Sequence, residues 1–198
     1  MKVAAGFVSF TEVDAGEHRS YNEWHLFDHL PEQLPLPGLV WGQRWVVRPG
    51  AAAVAEPPLD RVHYVTLYLM SEPLDEAQRG FFALAGELRK AGRFHEHRTS
   101  HLSGLAPVVS MTAAPRALVG PEVVPYRPHR GVHVSLGSGA IGGDPAGTWT
   151  FDLDGTPLVV SWLDGDPSAT APASEPGARY SAVAEVIDPF GPWDWFEP

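Results

Sequence analysis

Apolar alternation and helical spacing divide the chain into two unlike halves. Residues 3–10, VAAGFVSF, form a short apolar, aromatic-bearing run ahead of a polar turn at 11–16, which predicts a buried strand. Asp14 with Glu17 three residues on has the form of a capping box and predicts a helix from about residue 15. That helix carries YNEWHLFDHLPEQLPLPG, residues 21–38. Pro31 has no N–H to return to Phe27, so a kink or stop is expected at Leu30, with residues 31–34 as a separate short turn. Strands are predicted over 38–47 and 61–70, with a mobile Pro/Gly/Ala-rich loop at 49–60 between them. After Pro73, Leu74, Phe81, Ala85 and Leu88 recur at helical spacing and predict a second helix, followed by a strand near 105–113.

The order β-α-β-β-α-β is that of a ferredoxin-like unit, two helices on one face of a four-stranded antiparallel sheet. The other face is left bare and has to be covered by a second copy, from another chain or from the rest of this one. After residue 113 the pattern changes. Most of the 20 prolines lie beyond residue 104, no amphipathic helix follows, and residues 130–138, 148–153, 156–163 and 179–188 read as four strands. Asp154-Gly155 is a hairpin signal between the middle pair, and 166–178 is a loop where a helix would sit. The expected fold class is therefore α+β: a ferredoxin-like unit over 1–113, a linker at 114–129, and a degenerate β-rich half over 130–198. Together they form an α+β barrel, closed within the chain or by homodimerisation. Trp193, Trp195 and Phe196 are expected to plug the core.

Composition narrows the function classes. With 198 residues and 44% hydrophobic content the chain can bury a core. A net charge of −10 without any basic run excludes nucleic acid as a partner. No apolar stretch approaches the ~20 residues of a membrane helix, and the first ten residues read as a strand rather than a signal peptide. No membrane partner and a cytoplasmic location are therefore expected. The chain has no cysteine, so chemistry falls to His, Asp, Glu, Tyr, Ser or a cofactor. No nucleophile elbow, Walker loop or dinucleotide fingerprint occurs in usable context, and GSGAIGG at 137–143 reads as a flexible loop.

On a regular helix Leu26, Phe27, Leu30 and Leu34 share a stripe, the expected packing face. Tyr21, Trp24, His25, Asp28 and Glu32 gather opposite, with His29 at the margin. A solvated polar face is the simpler reading, but Trp24 among ionisable groups points to a pocket or interface. His25 and His29, like His97 and His101, have the i, i+4 spacing of metal ligands. Leu26 and Arg98 stand where a zinc-protease motif has Glu, so a structural role is favoured and no metal is expected. His63 runs in phase with Val65, Leu67 and Leu69, while Tyr64, Thr66 and Tyr68 face the other way. It reads as a core or pocket-wall residue, as does His133.

Tyr21, Trp24, His29, Leu30, Pro31, Glu32, Pro37 and Gly38, with Arg44 and Trp45 on the next strand, resemble in order the pattern of the EthD-like branch of the dimeric α+β barrel superfamily. The likeness covers residues 1–113. It departs at His25, where the family has an aromatic, and in the second half, which carries no copy of the motif. The resemblance implies a barrel interior enclosing a small, largely apolar ligand. Relatives include cofactor-free monooxygenases, lactone isomerases, polyketide cyclases and haem-dependent enzymes.

The expected function is cofactor-independent proton transfer on a small aromatic, polyketide or terpenoid-like substrate, as a cyclase, isomerase or lyase. His29 or His25 is the candidate base, because a free imidazole near pKa ~6.5 suits proton transfer at neutral pH. Asp28 or Glu32 is expected to orient it, and Tyr64 or Tyr68 to donate to an enolate oxygen. Tyr21, Trp24, Arg44, His63, Tyr64 and Tyr68 are the candidate substrate-binding side chains. The alternative is a non-catalytic ligand binder or dimerising scaffold in which Trp24, His29 and Glu32 are structural. A third is an oxygenase, cofactor-free or with one of the nine histidines as haem ligand.

Overall fold

A computed structural model describes residues 2–139, 141–173 and 175–197. Strand β1 (Val3–Val13) leads into α1 (His18–Trp24), a π-helical turn (His25–His29) and α2 (Leu30–Gln33). Then come β2 (Leu39–Val46), β3 (Ala52–Ala55), β4 (Tyr64–Ser71), α3 (Leu74–Lys90) and β5 (Arg98–Ala113). The second half supplies β6 (Gly131–Leu136), β7 (Gly147–Leu153), β8 (Thr156–Leu163) and β9 (Tyr180–Val186).

The strands run β2-β4-β1-β5-β7-β8-β6-β9, and β2 pairs back onto β9 through Trp45↔Val186 and Val46↔Glu185. Eight antiparallel strands thus close into a barrel within one chain, with β3 added beside β9. Numbered from its own first strand, each half has the order second, third, first, fourth. The β-rich half is therefore the second copy that covers the bare sheet face, with its helices gone.

Alternation explains the layers. Val8, Phe10, Trp45, Leu67, Trp149, Phe151 and Trp162 point inward and are 0–1% exposed. Trp149 lies 5.6 Å from Trp162 and Phe10 lies 5.2 Å from Tyr180, ring centre to ring centre. The interior is filled by side chains, as an eight-strand barrel permits, so the expected ligand space inside the barrel is not there. On the outer face of the second half, buried polar side chains take the place of apolar ones. Thr148 meets Ser161 at 3.0 Å, and His133 Nε2 lies 2.9 Å from Ser181 Oγ while its Nδ1 accepts from the Gly142 N–H at 3.1 Å. Loops in the helix positions, 137–146 and 164–179, bear on this face; Ala140 and Ser174 within them lie outside the described residues.

Several boundaries differ from expectation. The first helix starts at His18, and Glu17 caps it without a side-chain bond. Asp14 contributes its backbone carbonyl to the Glu17 N–H at 3.1 Å and turns its carboxylate to His97, so no capping box forms. The expected mobile loop at 49–60 contains β3 and a 3₁₀ turn, because β9 offers a free edge there. Residues 115–117 and 121–126 are 3₁₀ turns, and Pro121 accepts from the Trp149 indole at 2.9 Å. The tail packs as expected: Trp193 is buried, and Trp195 and Phe196 lie against Val13, Tyr21, Val46 and Tyr64.

Close approach at Gly131 gives a stability test. A Cβ there would press on the Ala184 carbonyl and stand 2.6 Å from Pro167 Cγ, whereas one at Gly80 in α3 meets nothing. Gly131→Ala is expected to destabilise by ~1–3 kcal/mol and Gly80→Ala to stabilise by roughly 0.5–1 kcal/mol. Urea unfolding of both variants checks the contrast, which equal midpoints would refute.

Candidate functional site

Helical spacing places the motif, but not with a regular helix. Pro31 lacks the N–H for Phe27 and its ring crowds that carbonyl. The chain answers one residue earlier with a wider turn, in which the Leu30 N–H reaches the His25 carbonyl, a π turn of the kind found at functional sites. The helix therefore runs on to Gln33 instead of stopping. The wider turn also stacks residues five apart, and Trp24 lies on His29 at 4.5 Å with the rings 23° from parallel.

The projected packing stripe holds only in part, since Leu26 and Leu30 pack against the core but Phe27 and Leu34 do not. Phe27 is 55% exposed and Leu34 43%, whereas Tyr21, Asn22, His25 and Gln33 are buried. Tyr21, His25 and Gln33 form the face turned toward the sheet, while Asp28 and Glu32 stay on the outside.

Between that face, α3 and the outer side of β1, β4 and β5 lies a cavity of about 460 Å³, within the range of small-molecule sites. Tyr21, Trp24, His25, His29 and Tyr68 line it, as the sequence suggested for a site. Phe7, Phe81, Phe82 and Phe94 supply apolar wall, and Gln33, Arg89 and Arg98 further polar wall. His25 Nδ1, His29 Nδ1, Arg98 Nε and both amide atoms of Gln33 are buried without a hydrogen-bond partner among the described residues. Buried polar atoms are usually satisfied, so this concentration in residues lining one cavity makes it the candidate site. Tyr68 Oη lies 3.5 Å from His25 Nε2, at the limit of hydrogen-bond reach.

The other expected residues lie elsewhere. Asp28 and Glu32 do not orient an imidazole; both bind Arg93, Glu32 at 2.8 Å. Arg93 in turn receives the Trp24 indole N–H on its carbonyl at 2.7 Å, tying the motif helix to the end of α3. Tyr64 Oη is held by His18 Nδ1 at 3.0 Å and Asn22 Nδ2 at 3.1 Å, outside the cavity wall. His63 accepts from the Val13 N–H and lies under Phe196, 4.4 Å away, beside a different, smaller cavity. Arg44 is 3% exposed behind Tyr21, with only Asn22 Oδ1 as a hydrogen-bond partner, at 2.5 Å. His97 and His101 turn to Asp14 and Glu12, so the two spaced His pairs do not converge. Among the described residues no group of three metal-ligating side chains occurs. His29 makes no side-chain hydrogen bond among the described residues.

Sequence reasoning missed Arg89, Phe94, Arg98 and Gln33. Arg98 was hidden because the strand was placed at 105–113, whereas β5 begins at Arg98 itself.

No family model matches the chain, and no curated protein does. A solved structure described as a "Putative Chlorite dismutase" aligns over 98% of this chain and 98% of its own, at 9% identity and a TM-score of 0.54. The fold is a chlorite dismutase-like α+β barrel. At that identity the match carries the barrel and nothing of the cavity's chemistry.

Burial and nearby guanidiniums hold both lining imidazoles neutral. Burial, then the charge of Arg98, lowers His29 to about 4, and burial followed by Arg44 holds His25 well below 6.5. Burial also lowers His18 and His133 to about 4. Between pH ~6.5 and ~4 the unfolded chain protonates these imidazoles and the folded chain does not. Stability is therefore intact above pH 6.5 and lost as pH falls toward 4, each group adding a slope of up to about 1.4 kcal/mol per pH unit. Urea midpoints from pH 7.5 to 4.5 should show this, with a shallower slope in His25→Asn. Parallel curves would rule out the buried neutral imidazole.

Proposed function

We propose that the chain is a cofactor-independent enzyme that moves a proton on a small aromatic, polyketide or terpenoid-like molecule bound under the motif helix. The observation that carries this reading is a cavity lined by His25, His29 and Tyr68, with Nδ1 of both imidazoles unpaired among the described residues and the Tyr68 hydroxyl 3.5 Å from His25 Nε2. The resemblance of Tyr21, Trp24, His29 and Glu32 to the EthD-like pattern supports the same substrate class.

A neutral imidazole is ready to accept a proton at pH 7, but one lowered to about 4 has little drive to do so. The reaction it suits is removal of an acidic C–H proton next to a carbonyl. Burial pushes the Tyr68 phenol up, so it stays protonated and donates to the developing enolate oxygen. The proton returns from the imidazolium to another carbon or oxygen, which gives isomerisation or, with an internal electrophile, ring closure. Asp28 and Glu32 act through Arg93 as positioning residues.

The low basicity of both imidazoles favours one second reading, a non-catalytic binder of the same molecules. Incubation in D₂O with a panel of small aromatic and polyketide carbonyl compounds separates the two, read by NMR as loss of the α-proton signal. Enzyme-dependent exchange is expected, falling by roughly 10²-fold or more in His29→Gln or His25→Gln. Exchange unchanged in both variants removes the base assignment, and binding without exchange leaves the binder.

A further inference from the structure

We propose that the cavity under α1 and α3 selects an organic anion: a flat, apolar molecule bearing a carboxylate that Arg98 and Arg89 receive. This deepens the function proposed above and rests on the same cavity.

The chain has 24 acidic and 14 basic side chains, Lys and Arg together. Yet the charged residues lining the cavity are Arg89 and Arg98, with no Asp or Glu among them. The acids of the neighbouring helix, Asp28 and Glu32, are already bound to Arg93. Neither lining arginine makes an ion pair among the described residues. Instead their guanidiniums rest on aromatic faces: Arg98 5.5 Å from Trp24 and 5.1 Å from Phe94, Arg89 5.0 Å from Phe94. Stacking fixes a guanidinium while leaving its N–H donors in the ring plane free, and Arg98 Nε is indeed buried without a partner.

A third cation deepens the field. Arg44 lies between Tyr21 and Tyr64, 4.7 and 4.9 Å from their ring centres, with Nε and Nη1 unpartnered and no carboxylate in reach. A buried charge without a counter-ion is costly, and two guanidiniums on the cavity wall with a third buried behind Tyr21 favour the opposite sign in the cavity. Phe7, Phe81 and Phe82 form the apolar floor for the ligand's body, and Gln33 adds an unpaired amide.

The same geometry links binding to chemistry. Arg98 is the leading charge that makes His29 a weak base. A carboxylate seated on Arg98 offsets that charge and so removes part of the lowering at His29, while the larger part, from burial, stays.

The test compares 2-naphthoate with 2-naphthamide, equal in shape and unlike in charge, by calorimetry on the full chain at pH 7.5. The naphthoate is expected to bind at least tenfold tighter, with the ratio shrinking in higher salt and lost in R98M; R89Q, on an exposed helix position, should reduce it severalfold. Equal or tighter binding of the amide, no binding of the naphthoate, or a full preference kept in both variants would overturn the proposal. The wild-type pair alone decides if R98M does not fold. A carboxylate preference without solvent exchange at carbon keeps the anion site and discards the proton-transfer function; exchange on neutral compounds with no carboxylate preference does the reverse.

Discussion

Trp45, Trp149 and Trp162 fill the barrel together with Phe10, Phe151 and Tyr180, and this filling decides where anything else can bind. An eight-strand barrel is just wide enough for its own side chains, and large aromatics leave no room for a guest. Ligand space has to lie outside the sheet, wherever a covering layer stands off from the strands. Helices do so in the first half, since side chains from both layers separate them. In the second half the covering loop comes close: a Cβ on Gly142 would stand 2.6 Å from His133. The cavity's position follows from which half kept its helices.

Within that half, a single proline sets the site's inner face. The π turn ahead of Pro31 brings Trp24 over His29 and turns His25 inward. Arg93 then locks the outward acids, so the helix is held at both sides. The resulting wall is aromatic, cationic and short of hydrogen-bond partners, which is a poor way to build a core and a good way to build a receptor.

The strands were legible because period-2 patterning is strict where one face is buried; β4 and β8 fell within a few residues of expectation. Two sets of four strands were legible from strand count and the Asp154-Gly155 turn, but closure within one chain was not, because the β2–β9 pairing that makes it joins residues about 140 positions apart. The motif helix was misread because projection assumes 3.6 residues per turn, and the π turn breaks that assumption at the residues that matter. Asp28 and Glu32 were assigned to the imidazoles because their true partner, Arg93, is more than sixty positions away and charge pairing across such a gap has no local signal. The depressed basicity of His25 and His29 depends on burial and on Arg44 and Arg98, which tertiary packing alone brings near.

The two halves share one strand order but not one covering layer. A barrel made from two identical chains would carry every feature twice. Here the two halves lie in one chain and differ in what covers them, so a ligand bound under the helices would have a stoichiometry of one per barrel. A substitution in strands β6 to β9 therefore has no identical copy beside the cavity, which is lined by residues of the first half alone.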